Sequence, residues 1–160
     1  MTNSALMSRL SRRDVYRLSE DLADEFGSQA VAWPEPGESG RDERMIAKLG
    51  VRGWGRLHHF RHFYPPGWGE GGGKPLSPRA VDALDRFLVT AAWPDGVTPS
   101  LFLTDRGGVE LAWEDRDGSP VQVEFYSNGV ELYRESTGLE ETVALAQAAE
   151  ICEALGVKAG

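Results

Sequence analysis

The chain has 160 residues, 41% of them apolar and 26% charged, with a net charge of -8. That length supports one sizeable core and is short for two. No apolar run approaches the ~20 residues that cross a bilayer, MTNSALMSRLSRR lacks the apolar stretch of a secretory signal, and the single Cys152 excludes an internal disulfide, so a reducing cytoplasm is the expected compartment.

The charge is unevenly placed. Residues 1–75 hold 11 Lys+Arg against 10 Asp+Glu, and residues 76–160 hold 6 against 15. The acidic half is a poor binder of phosphates, which need cations. A basic protein, or a nucleic-acid-binding protein complex, suits it better. Direct contact with nucleic acid is not expected of it.

In chain order, residues 1–10 carry no pattern and read as a mobile arm. Ser11-x-x-Asp14 resembles a capping box, and Val15, Leu18, Leu22 and Phe26 follow at helical spacing, so a helix is expected over about 12–26. Residues 28–40, with Pro34, Pro36, Gly37 and Gly40, read as a loop. A short helix is expected over Arg41 to Leu49, stopped by Gly50.

Over Val51 to Tyr64, the spacing of Trp54, Leu57, Phe60 and Tyr64 favours a helix over a strand. Arg52, Arg56, His58, His59, Arg61 and His62 are interleaved with them. His58 and His62 share a helical face and supply half a metal site, but no spaced Cys, His or Asp set completes it, and no metal or cofactor is expected. The histidines are also the candidates for general bases, with no nucleophile placed beside them. The arginines could meet phosphates while the aromatics stack on bases. The plainer reading makes the aromatics core and the cations its solvated rim.

Pro65 to Pro75 is a Gly/Pro loop. Its GEGGGK lacks the GxxxxGK[ST] spacing of a phosphate cradle. Ser77-Pro78 is a strong helix start. Val81, Leu84, Phe87 and Leu88 give that helix an apolar stripe ending before the turn Trp93-Pro94-Asp95-Gly96.

Four alternating runs follow, SLFLTD, VELAWED, VQVEFYS and VELYRE, separated by turns at Gly107-Gly108, Asp117-Gly118 and Asn128-Gly129. This is the signal of an antiparallel meander. Val109, Leu111, Trp113, Val121, Val123, Phe125, Val130 and Leu132 should line one apolar face. Glu110, Glu114, Glu124, Tyr126, Glu131 and Tyr133 should lie on the other, exposed, and they form the candidate partner-binding set. Thr137-x-x-Glu140 reads as a capping box for a last helix, buried through Leu139, Val143, Ala146, Ala149, Cys152 and Leu155. Cys152 on that stripe reads as a buried, inert thiol.

The expected fold is therefore α+β in a single domain over 1–160. Residues 11–64 form a helical N-terminal part, 65–76 a loop, and 77–160 a helix–meander–helix core. Helices cover one face of a four-stranded antiparallel meander.

Three pieces carry a resemblance: GWGEGGGKPLS at Gly67–Ser77, the helix ending in Arg86-Phe87-Leu88, and GGVELAWE at Gly107–Glu114. Over about residues 66–135 the chain resembles a loose group of small bacterial proteins with a WDGYGAxPLS-like segment and a GGIxLEW-like hairpin. Some of these accompany toxin–antitoxin or mobile-element genes. The chain departs from that pattern at Trp68-Gly69-Glu70. The group implies a fold and no catalytic residue. The acidic face and the absence of a catalytic residue set lead to an expected non-enzymatic inhibitor or neutraliser: antitoxin-like, immunity-like or phage-borne anti-defence, for example anti-CRISPR-like. The alternatives are an enzyme or metal protein using His58, His59 and His62, and a nucleic-acid binder through Arg52 to Tyr64. Oligomeric state is not readable from one sequence.

Overall fold

In the computed structural model, residues 39–94, 96–152, 154–155 and 157–159 are described. The helix expected over 12–26 and most of the loop expected over 28–40 lie outside them.

Helix α1 spans Ser39–Phe63 and is broken at Gly50, whose φ of 75° is outside the helical region. The expected stop at Gly50 is therefore a kink between two helical pieces. The first buries Met45, Ile46 and Leu49, and the second buries Trp54, Leu57 and Phe60. Helix α2 spans Pro78–Thr90. Ser77 caps it by accepting a hydrogen bond from the Ala80 amide at 3.4 Å, and Pro78 fills the first position, where no amide proton is needed. Arg44 joins the helices with two hydrogen bonds to Asp85, at 2.9 and 3.0 Å.

Strand β1 is Ala91–Ala92. It pairs antiparallel with β7, Lys158–Ala159, near the end of the chain. Between them lies an antiparallel sheet of five strands in sequence order: β2 Ser100–Leu103, β3 Val109–Glu114, β4 Pro120–Tyr126, β5 Gly129–Arg134 and β6 Leu139–Val143. The α+β class holds, but the meander has five strands. Among the described residues the expected C-terminal helix is not formed. Gly138, with φ of 65°, ends a single turn of 3-10 helix over Glu135–Thr137, and the chain returns beside β5 as β6. The open ladder of β5 offered residues 139–143 a row of backbone partners. Thr142 and Val143 are β-branched and suit a strand. After β6 the chain turns irregularly and still buries Ala148, Ile151, Cys152 and Leu155, while Ala146 is exposed. Cys152 is thus buried as expected, beside the Thr90 hydroxyl at 3.4 Å.

The expected apolar face is buried throughout, including Trp113 and Phe125. Helix α2 covers it, with Phe87 and Phe125 ring centroids 5.4 Å apart. Trp93 meets Trp113 at 5.1 Å and donates its indole N–H to the Lys48 carbonyl at 2.6 Å.

Register fixes the direction of each backbone group. Tyr126 pairs with Gly129 across a two-residue turn, so that pair exchanges hydrogen bonds. Antiparallel pairs alternate from there. Glu124–Glu131 is a bonded pair. Glu110–Glu124, across β3 and β4, is a non-bonded pair, the kind in which side chains stand closer. The β4–β5 turn consists of Ser127 and Asn128, and Gly129 belongs to the strand. A Cβ on Gly129 would lie 2.8 Å from the Tyr126 hydroxyl, so glycine there makes room for the tyrosine ring.

The loop of residues 65–77 is a closed strap. Gly67 and Trp68 exchange backbone hydrogen bonds with Gly73, and the Trp68 indole donates to the Lys74 carbonyl at 2.6 Å. The strap is tied to the β2–β3 turn by the Lys74 amide on the Asp105 carbonyl and the Ser77 amide on the Gly107 carbonyl. The sequence segments Gly67–Ser77 and Gly107–Glu114 therefore meet in space.

Candidate partner-binding face

One face of the five-stranded sheet is not covered by α2. Its central row runs Phe102, Glu110, Glu124, Glu131, Thr142 across the five strands. A second row runs Ser100, Ala112, Gln122, Tyr133, Glu140. The structure thus gathers the six expected residues on one side of the sheet, with Glu114 at the end of β3 and Tyr126 at the end of β4. It also adds Phe102 and Glu140.

The row is less exposed than the alternation suggested, because a cation lies across it. Arg106, in the β2–β3 turn, donates from Nε and Nη2 to the two oxygens of Glu124 at 2.8 and 2.6 Å. It donates from Nη1 and Nη2 to those of Glu131 at 2.9 and 2.5 Å. Its guanidinium carbon stands 4.0 Å from the centre of the Tyr126 ring, a cation–π contact. Thr104 donates a further hydrogen bond to Glu124 at 2.7 Å. Gly108 leaves space for this cluster: a Cβ there would lie 2.6 Å from Glu124 Oε1. Glu124, Glu131 and Tyr126 are consequently half-buried, and Glu110, opposite Glu124 but beyond the reach of Arg106, is half-buried as well, where full exposure was expected.

The electrostatics of the row divide at Glu124. The hydrogen bonds from Arg106 hold the Glu131 carboxyl below its ordinary range, and the two glutamates push the Arg106 pKa further up. Glu110 moves the other way. Burial raises its pKa, and the neighbouring Glu124 charge adds to the rise. Among the described residues no Lys or Arg pairs with Glu110. Glu114, Gln122 and Glu140 are exposed. Phe102 and Tyr133 are large apolar side chains 44% and 37% exposed, and both lie on this face.

The Arg52–Tyr64 segment is arranged differently. It is helical through Phe63, with Trp54 and Phe60 in the core, so those aromatics are not platforms for stacked bases. Arg52, Arg61 and His62 are exposed. Arg56 lies against the Phe60 and Phe102 rings, at 5.5 and 5.6 Å, and so reaches the edge of the sheet. His58 is buried, with Nε2 3.6 Å from an Asp42 oxygen that also accepts the Trp54 indole N–H at 3.2 Å. His59 stacks on Phe63 at 4.6 Å. Burial lowers the pKa of both His59 and His62. No group of three or more His, Cys, Asp or Glu among the described residues is placed to hold a metal. No described helix is long and apolar enough to cross a membrane.

Sequence reasoning missed Arg106. It sits in a turn, where no period indicates its destination. The available signal was chemical: one arginine beside Gly107-Gly108, at the end of strands that carry a row of glutamates.

No family model matches this chain, and neither curated proteins nor solved structures gave a match.

Proposed function

We propose that this protein is a non-enzymatic inhibitor or neutraliser that holds a basic partner protein against the open face of the β2–β6 sheet. An antitoxin-like, immunity-like or anti-defence-like role is the form this takes. The observation that carries the reading is Glu110. It is half-buried, has no cation beside it among the described residues, and stands directly opposite another carboxylate. Like charges in that position work against folding. A glutamine would keep the strand pairing without the cost. A partner's lysine or arginine turns the same arrangement into attraction and speeds encounter.

The face has further features of an interface. Phe102 neighbours Glu110 across β2 and β3, and Tyr133 lies one row away. Both supply large contact area next to charge, as interface anchors do. Arg106 keeps Glu124 and Glu131 in fixed rotamers, which lowers the entropy cost of meeting a partner.

The test is charge reversal at Glu110 and Glu114. The double lysine variant should fold, by circular dichroism, and lose a protein partner that wild type retains. A variant that retains the same partner equally well would place the interface elsewhere.

A further inference from the structure

β6 is an edge of the five-stranded sheet, and among the described residues no strand pairs with its far side. The other edge is different, because β2 lies beside α1, with Arg56 against Phe102. The bonded pairs of β5 and β6 follow from the alternation set at Tyr126–Gly129. They are Val130–Val143, Leu132–Glu141 and Arg134–Leu139. The amides and carbonyls of Glu140 and Thr142 therefore point outward, away from the sheet. Their side chains are exposed and belong to the open face, opposite Tyr133 and Glu131. Such an edge is a template for another strand.

Charge decides what fits it. A second copy pairing antiparallel about the centre of β6 sets Glu141 against Glu141. Like charges directly opposite are destabilising, so these carboxylates guard the edge against self-association. A strand bearing lysine or arginine meets the opposite situation. Its alternate side chains would continue the Tyr133–Glu140 and Glu131–Thr142 rows of the open face.

We infer that β6 binds an extended, lysine- or arginine-bearing segment of a partner protein by strand addition, through the outward backbone groups of Glu140 and Thr142. This rests on the open face being the seat of a basic partner, and it names the form in which that partner arrives.

The probe is a short acetylated peptide alternating lysine with threonine and valine, added to the isotope-labelled full chain. In wild type, the Glu140 and Thr142 amide resonances should shift and become protected from exchange, with Glu141 little changed. Thr142→Pro removes one outward donor and leaves the β5 ladder intact. It should weaken the peptide at least tenfold while circular dichroism stays native. Glu140→Pro should do the same, should Thr142→Pro fail to fold. Peptide bound with unshifted Glu140 and Thr142 amides would overturn strand addition. If that binding is also abolished by charge reversal at Glu110 and Glu114, the face reading survives without the edge. A peptide that does not bind at all, or a wild-type dimer joined through β6 in sedimentation and amide exchange, would also overturn the inference.

Discussion

Glu110 and Glu124 stand opposite each other in a non-bonded pair of β3 and β4, and Arg106 holds Glu124 with two hydrogen bonds while it does not reach Glu110. The two carboxylates share a surface and differ in electrostatic situation. Stability and binding should therefore respond differently at the two positions.

Glu110→Gln should stabilise the protein at pH 7. The folded-state pKa of Glu110 is raised above its ordinary 4.5. A raised carboxyl favours the folded state while protonated, below the unfolded value, and loses that advantage as pH rises through the folded value. The gain from glutamine should thus be present at neutral pH and vanish as pH falls below the ordinary carboxylate range. Urea denaturation of both proteins across that range measures it. A gain that grows on acidification would contradict the assignment.

Arg106→Ala should destabilise the fold by about 1–2 kcal/mol, because it leaves Glu124 and Glu131 facing each other without their shared donor. The figure is held down by solvent, since Arg106 and Glu131 are 35% and 45% exposed. Adding Glu124→Gln to Arg106→Ala should recover part of the loss. Thermal unfolding of Arg106→Ala, Glu124→Gln and the double variant reads the coupling directly. Full additivity of the two substitutions would show that the cluster carries no interaction energy.

Two glycines of the meander, both at positive φ, separate backbone strain from packing. Gly118 has φ of 77° and open space around its would-be Cβ, so Gly118→Ala should cost about 1–2 kcal/mol from conformation alone. Gly107 has φ of 79°, and a Cβ there would lie 2.3 Å from the Pro75 carbonyl oxygen. Gly107→Ala should cost more and should loosen the strap, because the Ser77 amide bonds to the Gly107 carbonyl. A shift in Trp68 fluorescence in Gly107→Ala, absent in Gly118→Ala, checks this.

Legibility in the sequence followed the strength of local constraint. Period-two alternation placed Val109, Leu111, Trp113, Val121, Val123 and Phe125 on the buried face, because a slip of one residue would expose them all. Ser77-Pro78 located the start of α2, where cap chemistry leaves few options. Over residues 139–155 the sequence pattern is that of a helix, and the structure differs. Thr137, Glu140 and an apolar spacing of three and four satisfied the local rules, and the vacant ladder of β5 outweighed them. That competition depends on what lies alongside in space, which one sequence does not display. The same holds for Arg106, which reaches Glu124 and Glu131 from a turn 18 and 25 residues away. Asn128-Gly129 was a turn signal whose glycine serves Tyr126 instead.

The central claim is that the open sheet face holds a basic protein partner through carboxylates that folding does not need. Its most direct measurement is affinity capture by wild type and by Glu110→Lys/Glu114→Lys, at low and high salt, with captured proteins identified and quantified. Wild type should retain one basic protein in stoichiometric amount and release it at high salt. The variant should lose it at either salt, a loss of about 2–5 kcal/mol for charges of this kind. Retention of the same protein by both, unaffected by salt, would contradict the claim and move the interface to another surface, with Arg52, Arg61 and His62 of α1 the next to substitute.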